Sequence, residues 1–348
     1  MFEEILKEFG LDVNATVKPF GSGLINNTWL INDRGNDHIL QRINQNVFKK
    51  PLDIANNIRL ICNYFQDQHP DYLFVCPCRT TTGDDMLFIN GEGYFRLFPF
   101  IKNSYTTDVV NSPLQAFEAA KQFGRFTNLL SKFPAGNLKI TLPDFHNLPL
   151  RYSQFEKAIK QGNKERIREA RETIQFLTQQ HEIVTISEKI RNNPDFKTRV
   201  THHDSKISNV LFDVNNHGLC VIDLDTVMPG YFISDFGDMM RTYLSPVSEE
   251  EKSFDRIEIR EDYFTAIADG YLSEMGDELT SIEKEHLVYA GKFMTYMQAL
   301  RFITDHLAND IYYGAKYEGH NFLRANNQIV LLKRIIEKEQ TLRKAIVI

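Results

Sequence analysis

The most informative segment of the sequence reads THHDSKISN over residues 201–209, and VIDLD follows over residues 221–225. Asp204 precedes Asn209 by five residues, which is the spacing of a catalytic loop for phosphoryl transfer, H-x-D-x-x-x-x-N in general form. Asp223 follows Asn209 by 14 residues, across one predicted hairpin. Because Mg²⁺ prefers carboxylate and carbonyl oxygens, Asn209 and Asp223 are candidate metal ligands, and Asp204 is the candidate base that meets an acceptor hydroxyl.

A structural role is the alternative for this set, since an isolated Asp–Asn pair in a loop commonly forms an Asx turn. Here the polar residues adjoin predicted strands that are otherwise apolar, 210–212 and 219–222, and a carboxylate at the end of a buried strand is costly without a cation. The sequence therefore favours the catalytic interpretation. Asp225, two residues beyond Asp223, is a candidate for a second metal contact or for a contact with the acceptor.

A second aspartate motif, DFG at residues 235–237, matches the string that binds metal in protein kinases. It begins 26 residues beyond Asn209, however, and Asp223 fits the metal-binding role better. We expect Asp235 instead to cap or brace a helix that begins near Phe236.

Hydrophobic patterns divide the chain into two parts, for which we predict an α+β fold with two lobes. Residues 1–101 are predicted to form mainly antiparallel strands around one helix that begins at Pro51. Residues 102–348 are predicted to be mainly helical, interrupted by a short β region at 199–225 that carries the candidate catalytic residues. The predicted helices of this second part span residues 113–132, 150–160, 163–180, 181–192, 259–274, 280–308 and 321–345.

Two features of the first part are candidates for nucleotide binding. The turn Gly21-Ser22-Gly23 lies between two predicted strands, where glycines let backbone amides approach phosphates, although Gly-x-Gly turns are common. It matches neither G-x-G-x-x-G nor the P-loop pattern, which argues against both of those nucleotide-binding motifs. Arg42 is a cation in the apolar strand predicted at 38–43, and we expect it to contact a phosphate; the alternative is a surface arginine on an edge strand.

Composition restricts the partners and the location of the protein. With 42% apolar and 25% charged residues and a net charge of −6, the chain has no basic surface for a nucleic acid. It contains no apolar run of 18 residues, and three glutamates within the first ten residues do not suit a signal peptide. We therefore expect a cytoplasmic protein with no membrane partner. Reduced thiols are expected at all four cysteines, Cys62, Cys76, Cys78 and Cys220.

The chain resembles the aminoglycoside phosphotransferase and choline kinase superfamily. The resemblance rests on His202, Asp204, Asn209, Asp223 and the later Asp-x-Gly-Asp at 235–238. Within this superfamily the chain is most similar to the N-acetylhexosamine kinases that phosphorylate the anomeric 1-hydroxyl. The blocks that carry this closer likeness lie at residues 21–26, 39–49, 204–209, 222–230 and 300–305, so they extend over most of the chain.

The resemblance implies a protein-kinase-like bilobal fold, with ATP as co-substrate between the lobes and a sugar on the C-terminal lobe. It implies that the first part, 1–101, binds the nucleotide and that the adenine meets the backbone of a hinge near Phe98 and Phe100. It also implies the base and Mg²⁺-binding roles given above. One departure from protein kinases is that the helix predicted at 51–67 has no glutamate to pair with Arg42.

Candidate acceptor contacts lie in two predicted helices near the C-terminus. Arg301 and Asp305 are four residues apart on one helix, as are His320 and Arg324. Side chains of this kind bind sugars, although most charged pairs at this spacing are solvated surface pairs. The predicted function is therefore ATP-dependent phosphorylation of a sugar hydroxyl, with the 1-hydroxyl of an N-acetylhexosamine as the leading acceptor.

Two alternatives to this function stay open. One is a different small acceptor in the same fold, such as another sugar, an amino alcohol or an aminoglycoside. The mixed or basic character of the segment around Arg301 argues against a polycation. The other alternative is a nucleotide-binding scaffold without turnover, against which the complete set of Asp204, Asn209 and Asp223 argues.

Overall fold

The computed structural model describes residues 1–21 and 25–346. Within these residues the first part of the chain forms a five-stranded antiparallel sheet with the strand order β1-β2-β3-β5-β4. Its elements are helix α1 (Phe2–Glu8) and strands β1 (Thr16–Pro19), β2 (Asn27–Asp33), β3 (Asn36–Arg42), β4 (Leu87–Ile89) and β5 (Gly93–Pro99). The predicted antiparallel sheet is therefore present.

The two faces of this sheet have different neighbours, because successive side chains of a strand point to opposite sides. Leu40 and Leu97 pair across β3 and β5 and are buried with Ile5 and Leu6 of α1. The opposite face carries two cross-strand rows, Leu30–Ile39–Phe98 and Thr28–Gln41–Arg96. The first of these rows is apolar and only half-buried, and it belongs to neither of the hydrophobic cores.

Helix α2 (Pro51–Gln68) connects the sheet to the rest of the molecule. It begins at the predicted proline, whose fixed φ suits the first turn of a helix. Asn57 on this helix is fully buried. Its side-chain amide donates to the main-chain carbonyls of Lys139 (2.8 Å) and Val227 (3.1 Å), which fixes α2 against the second part of the chain.

The second part is mainly helical. Its helices are α3 (Pro113–Leu129), α4 (Leu148–Gln161), α5 (Lys164–Glu169), α6 (Arg171–Gln179), α7 (Glu182–Asn192), α8 (Phe232–Tyr243), α9 (Glu261–Met275), α10 (Ser281–Glu285), α11 (Leu287–Leu307), α12 (His320–Glu337) and α13 (Glu339–Ala345). Helix α11 lies at the centre and packs against α4, α8 and α12. Among the described residues, no helix combines the length and the apolar character that crossing a membrane requires.

Three helices that the sequence predicted as continuous are each broken once. The breaks fall at Ala170, His286 and Lys338, whose ψ angles are 14°, 8° and 5°. An α-helix needs ψ near −42°, so the helical hydrogen-bond ladder cannot pass through these residues unbroken.

Two small sheets support the segment with the catalytic motif. The strands are β6 (Ser104–Tyr105), β7 (Arg199–Thr201), β8 (Val210–Asp213), β9 (Gly218–Val221) and β10 (Met228–Gly230). Strands β6, β8 and β9 form one sheet, and β7 pairs with β10. The short β6 and β10 were not predicted. Strand β9 ends before the predicted Asp225, because Asp223 adopts φ +59°, which is incompatible with an extended strand.

The cysteine prediction is corrected by the structure. Cys62 on α2 and Cys76 are joined by a disulfide, with their Cα atoms 5.8 Å apart, a separation typical of such bridges. Cys78 and Cys220 are free. Together, the elements confirm the predicted α+β class, with an antiparallel sheet followed by a larger helical part.

Candidate active site

The loop between β7 and β8 brings the predicted base and its neighbour into contact. The side-chain amide of Asn209 donates to the main-chain carbonyl of Asp204 (2.8 Å) and to its Oδ2 (3.0 Å). The ammonium group of Lys206 lies 3.1 Å from the same Oδ2. Among the described residues no protein donor bonds to Oδ1 of Asp204, so this oxygen is available to a substrate hydroxyl.

Lys206 was not predicted as a site residue, although it lies within the motif. Burial works against its charge, but the Asp204 carboxylate outweighs this effect and the pKa of Lys206 is raised. The ammonium group therefore stays charged beside the candidate base. It places a positive charge next to the carboxylate of Asp204.

Asp235 holds the catalytic loop in its conformation. One carboxylate oxygen accepts from the backbone N–H of His202 (3.0 Å), and the other accepts from the backbone N–H of His203 (2.7 Å) and from the hydroxyl of Ser205 (3.0 Å). His203 adopts φ +68°, a conformation that costs a non-glycine residue about 1–3 kcal/mol. The hydrogen bonds to Asp235 offset that cost and fix the direction of the loop.

This finding corrects the predicted position of the helix around Asp235. Helix α8 begins at Phe232, four residues before the expected Phe236, so Asp235 lies in its first turn. The carboxylate braces the catalytic loop rather than the helix start. Asp238, one turn later, accepts from the backbone N–H of Ser205 (2.9 Å) and pairs with Arg241 (2.9 Å).

Asp223 is held next to Asn209 by the hairpin of β8 and β9, since the N–H of Ile222 donates to the carbonyl of Asn209 (2.9 Å). Asp223 is exposed to solvent. Nevertheless, desolvation by the surrounding protein and then the negative charges of Asp225 and Asp204 raise its pKa to about 6. Three carboxylates thus crowd one region, where a cation would be favoured.

Asp225 has partners that leave little room for the predicted metal or acceptor contact. Its side chain is buried and forms an ion pair with Arg96 of β5. Its other oxygen accepts from the side-chain amide of Asn26 (2.7 Å). Gln41 holds the guanidinium of Arg96 from the opposite side, at 3.0 Å from Nε and 2.7 Å from Nη2. Asp225 therefore connects the five-stranded sheet to the catalytic segment.

Arg42 does not occupy the position expected of a phosphate ligand. It lies on the α1 side of β3, with the same orientation as Leu40, and its guanidinium is 3.3 Å from the exposed Glu92. The cation on the opposite face is Arg96, which sequence reasoning missed. The signal was present, because Arg96 is a cation in an apolar strand in the same way as Arg42.

The remaining nucleotide candidates follow β1 or lie in and directly after β5. Gly21 adopts φ +76°, and apart from its chain neighbours no described atom lies within 4 Å of the position where a Cβ atom would be. Ser22 and Gly23 lie outside the described residues. Phe98 belongs to the half-buried apolar row of the sheet. The ring of Phe100 contacts that of Phe20 edge to face at 6.2 Å. The backbone N–H of Phe100 is already bonded to the carbonyl of Asp37 (3.1 Å).

Arg301 lies among aromatic rings. Its guanidinium carbon is 5.7 Å from the ring centre of Phe145, 6.0 Å from that of Tyr312 and 5.4 Å from that of Tyr313. Its hydrogen-bond partner is the side-chain oxygen of Gln298 at 3.4 Å. Within the described chain no carboxylate lies within 4.0 Å of Arg301, so the predicted neighbour Asp305 does not neutralise it.

Asp305 is engaged by the loop that precedes α12. Its two oxygens accept from the backbone N–H groups of Tyr312 (2.7 Å) and Tyr313 (2.9 Å), and from the side chain of Asn321 (3.1 Å). The side chain is buried. The structure thus gives Asp305 the role of an anchor for this loop, not the role of an open acceptor contact.

His320 and Arg324 are paired with carboxylates. The Nε2 atom of His320 lies 2.9 Å from Glu250, and Arg324 forms an ion pair with Glu249. Arg324 also covers the ring of Phe302 at 3.8 Å. Both predicted acceptor residues therefore already have carboxylate partners within the protein.

His146 is a site residue that the sequence did not reveal. It follows Phe145 in the loop before α4, and its Nδ1 lies 3.3 Å from Nδ1 of His203 in the catalytic loop. The guanidinium of Arg301 approaches the ring of Phe145, the residue that precedes His146, at 5.7 Å. His146 therefore lies between the catalytic loop and the surroundings of Arg301. Nothing in the sequence pairs His146 with His203, because 57 residues separate them.

Comparisons with known proteins identify the family and the fold of the chain. A family model described as the phosphotransferase enzyme family matches residues 16–272. A microcompartment-associated aminopropanol kinase superposes with a TM-score of 0.66 at 16% identity, covering 98% of this chain and 97% of its own. A spectinomycin phosphotransferase in complex with ADP and spectinomycin gives a TM-score of 0.61 at 15% identity, with 97% of both chains covered.

A more distant similarity is found to choline kinase from Cryptosporidium parvum. The TM-score is 0.57 at 15% identity, and the match covers 94% of this chain and 91% of that protein. At such identities these solved structures show a shared kinase-like fold.

Proposed function

Since the chain belongs to the phosphotransferase enzyme family, we propose that it transfers the γ-phosphate of ATP to a hydroxyl group of a neutral sugar. The leading acceptor is an N-acetylhexosamine and its anomeric 1-hydroxyl. The observation that carries this choice is Arg301, which lies among aromatic rings with no carboxylate partner in the described chain. Because no carboxylate in the described chain compensates the charge of Arg301, this residue favours the binding of a neutral or electronegative group of the acceptor.

The proposed nucleotide site lies on the face of the five-stranded sheet that is opposite α1. Residues 1–101 then act as the nucleotide lobe and residues 102–348 as the catalytic lobe. The half-buried apolar row of Leu30, Ile39 and Phe98 offers a surface for the adenine. The polar row with Arg96 follows it towards Asp225. A nucleotide laid along these rows has its base on apolar side chains and its phosphates near the carboxylates of the catalytic segment.

Mg²⁺ fits the oxygen donors of this segment. Asn209 turns its amide nitrogen towards Asp204, and within the described residues no group donates to its Oδ1. Asp223 offers a carboxylate in a crowded negative environment. Amide and carboxylate oxygens without thiolate or imidazole suit Mg²⁺, which takes its other ligands from phosphates and water. When bound, the ion would neutralise charge on the phosphates of the nucleotide.

Asp204 positions the acceptor and takes its proton. The free Oδ1 accepts the hydrogen of the sugar hydroxyl, whose oxygen forms the new bond to phosphorus while the bond to the nucleoside diphosphate breaks. Asn209 and Lys206 hold the other carboxylate oxygen, so Oδ1 keeps a fixed direction. An anomeric hydroxyl is more acidic than an ordinary alcohol, and it therefore requires accurate positioning more than a strong base.

The acceptor region comprises Arg241, Arg301, Arg324 and their neighbours, and its charges argue against a cationic acceptor. Arg241 and Arg324 are paired with Asp238 and Glu249, whereas Arg301 is not paired. An ammonium group of the acceptor would be repelled by Arg301, whereas Asp238 and Glu249 are already paired with Arg241 and Arg324. This charge pattern favours a sugar over an amino alcohol or an aminoglycoside.

A test is ADP release with a panel of acceptors under saturating ATP and Mg²⁺. The panel contains N-acetylhexosamines, neutral hexoses, amino alcohols and an aminoglycoside, and Asp204→Asn serves as the inactive control. We expect turnover with N-acetylhexosamines, and phosphorus NMR of the product should place the phosphate on C1. Turnover with amino alcohols alone would contradict the choice of acceptor, and ATP consumption that no acceptor stimulates would favour a scaffold.

A further inference from the structure

Asp225 is held by two residues of the first part of the chain that come from opposite sides of β3. Arg96 of β5 forms the ion pair with one carboxylate oxygen, and the side-chain amide of Asn26 donates to the other oxygen at 2.7 Å. Asn26 directly precedes β2, and β3 lies between β2 and β5 in the sheet. Because neighbouring strands are about 4.8 Å apart, the two side chains start at least about 10 Å from each other and converge on one carboxylate.

The side chain of Asn26 is also fixed within the sheet. Its oxygen accepts from the backbone N–H of Asn44 (3.0 Å), which follows the end of β3. In return, the side-chain amide of Asn44 donates to the backbone carbonyl of Ile25 (3.1 Å). These reciprocal bonds join the start of β2 to the end of β3. The nitrogen and the oxygen of the Asn26 side chain thus have different partners, one in the catalytic segment and one in the sheet.

The segment around Asp225 is in turn fixed to the catalytic loop. The hydroxyl of Thr226 donates to the backbone carbonyl of His202 (2.7 Å), and Nε2 of His202 lies 2.9 Å from the backbone carbonyl of Ile222. Asp223, the candidate metal ligand, lies in the chain between these two contacts. A shift of Asp225 relative to the sheet would therefore also shift the metal ligand and the loop that carries the candidate base.

The second contact changes what the attachment of Asp225 can achieve. With the ion pair to Arg96 alone, the sheet could turn about that one point. The bond from Asn26 starts on the other side of β3, so it opposes this rotation. Phosphoryl transfer requires the attacking and leaving oxygens to be roughly in line, and a misplacement of about 1 Å can cost about 10²-fold in rate.

We propose that Asn26 is a positioning residue for phosphoryl transfer, which orients the nucleotide-bearing face of the sheet relative to the candidate base and the candidate metal ligand. This inference rests on the proposed function, because it takes the nucleotide to lie on that face. Asn26 acts through Asp225 and not through a contact with either substrate. Loss of its bond to Asp225 should therefore lower kcat and raise the KM for ATP. The KM for the acceptor should change little, because other segments build the acceptor region.

Two variants separate the contact with the catalytic segment from the contact within the sheet. Asn26→Asp keeps an oxygen that accepts from the N–H of Asn44, but it loses the amide that donates to Asp225 and brings a second carboxylate next to it. Asn26→Ala loses both contacts. We expect kcat/KM for ATP to fall by roughly 10- to 100-fold in N26A, the effect of one hydrogen bond to a charged group, and at least as far in N26D.

A matched control lies near the other end of β2. The side-chain amide of Asn32 donates to the carboxylate of Asp37 at 2.6 Å, so Asn32→Ala removes an amide–carboxylate bond from an exposed site of the same sheet. N32A should leave kcat/KM for ATP near the wild-type value. Trp29, the one tryptophan of the chain, packs edge to face on Phe2 on the α1 side of the sheet. Its fluorescence emission should be the same in the wild type and in all three variants, which shows that the sheet is intact.

Steady-state kinetics with the best acceptor of the panel, and calorimetry with Mg²⁺ and a non-hydrolysable ATP analogue, measure these effects. Wild-type kinetics in N26D, or losses no larger than those of N32A, would overturn the positioning role, because the contact within the sheet would then be sufficient. An increase in the KM for the acceptor as large as that for ATP would also overturn it. Failure of the wild type to phosphorylate any neutral sugar would instead overturn the proposed function. In that case N26D should still bind the Mg²⁺–nucleotide complex more weakly than the wild type, and equal affinities would overturn the role of Asn26 as well.

Discussion

The two sides of Asp204 differ in charge. On the side of the five-stranded sheet, Asp223 and Asp225 form a cluster of carboxylates that is balanced in part by Arg96. In the proposed acceptor region, Arg301 has no carboxylate partner within the described residues, and burial lowers the pKa of His146. On our proposal, the candidate base therefore stands between a region that favours a cation and a region that favours an electronegative, uncharged group.

The two sides also differ in how the chain builds them. The carboxylate side comes from one hairpin and is held by Asp235 through its bonds to His202 and His203. The acceptor side is assembled from the loop before α4, from α11 and from the loop before α12. We therefore expect metal binding to depend on a local unit, whereas nucleotide binding and acceptor choice depend on contacts between distant segments.

Replacement of the residue at the boundary should have the largest effect on turnover. Asp204→Asn should reduce kcat by about 10²–10⁴-fold, because a positioned general base contributes that much, while nucleotide affinity changes little. Steady-state kinetics and calorimetric titration with ATP analogue and Mg²⁺ measure the two quantities. Turnover close to that of the wild type would remove Asp204 from its role.

Replacement of the aspartate proposed to bind metal and replacement of the aspartate that supports the loop should have different effects. Asp223→Ala should weaken Mg²⁺-dependent nucleotide binding by more than about 100-fold, since the loss even of residues that only support a metal ligand costs 10- to 100-fold. Asp235→Ala should retain the Mg²⁺ dependence but lower the free energy of unfolding by about 3 kcal/mol or more, because buried donors lose their acceptor. Equal losses of Mg²⁺-dependent affinity in calorimetry would return Asp235 to the metal site.

The two arginines of the sheet test which face adjoins the catalytic segment. Arg96→Gln breaks a buried ion pair and should reduce the free energy of unfolding by about 3–5 kcal/mol. Arg42→Ala removes an exposed pair with Glu92 and should change it by less than about 1 kcal/mol. Denaturant unfolding measures both values. A larger effect for Arg42 would mean that the faces have been assigned the wrong way round.

On the acceptor side, Arg301→Ala should raise the KM for the sugar by roughly 10- to 100-fold, if a charged hydrogen bond worth about 1.5–3 kcal/mol is lost. The KM for ATP should stay nearly constant. Arg334→Ala is a matched control, because Arg334 forms an exposed pair on α12. Sugar kinetics that are unchanged in the Arg301 variant would move the acceptor site elsewhere.

Much of the carboxylate side could be predicted from the sequence, because its residues lie close together in the chain. Asp204, Asn209 and Asp223 are joined by one hairpin, so spacing alone predicts their proximity. The fold class could also be predicted from the sequence, since the alternation and the helical periodicity of apolar residues are local patterns. The role of Asp235 was only partly predicted, because the packing of α8 fixes the position of its carboxylate, which accepts the hydrogen bonds of the loop.

The remaining features depend on register and on contacts between distant segments. Arg42 and Arg96 both sit in apolar strands, and a shift of one residue decides which face each occupies. Arg96 and Asp225 are 129 residues apart, so no spacing rule could pair them. Arg301 and Asp305 share a helix, yet Asp305 is bound by backbone groups of a loop whose path the sequence does not specify.

The charge boundary at Asp204 is tested most directly by one matched pair of acceptors. An N-acetylhexosamine and the same hexosamine without its acetyl group differ in an uncharged amide and a cationic amine. We expect kcat/KM under identical conditions to be at least about tenfold higher for the acetylated sugar, which corresponds to about 1.4 kcal/mol of discrimination. A ratio near one, or a preference for the free amine, would contradict the assignment of the acceptor side.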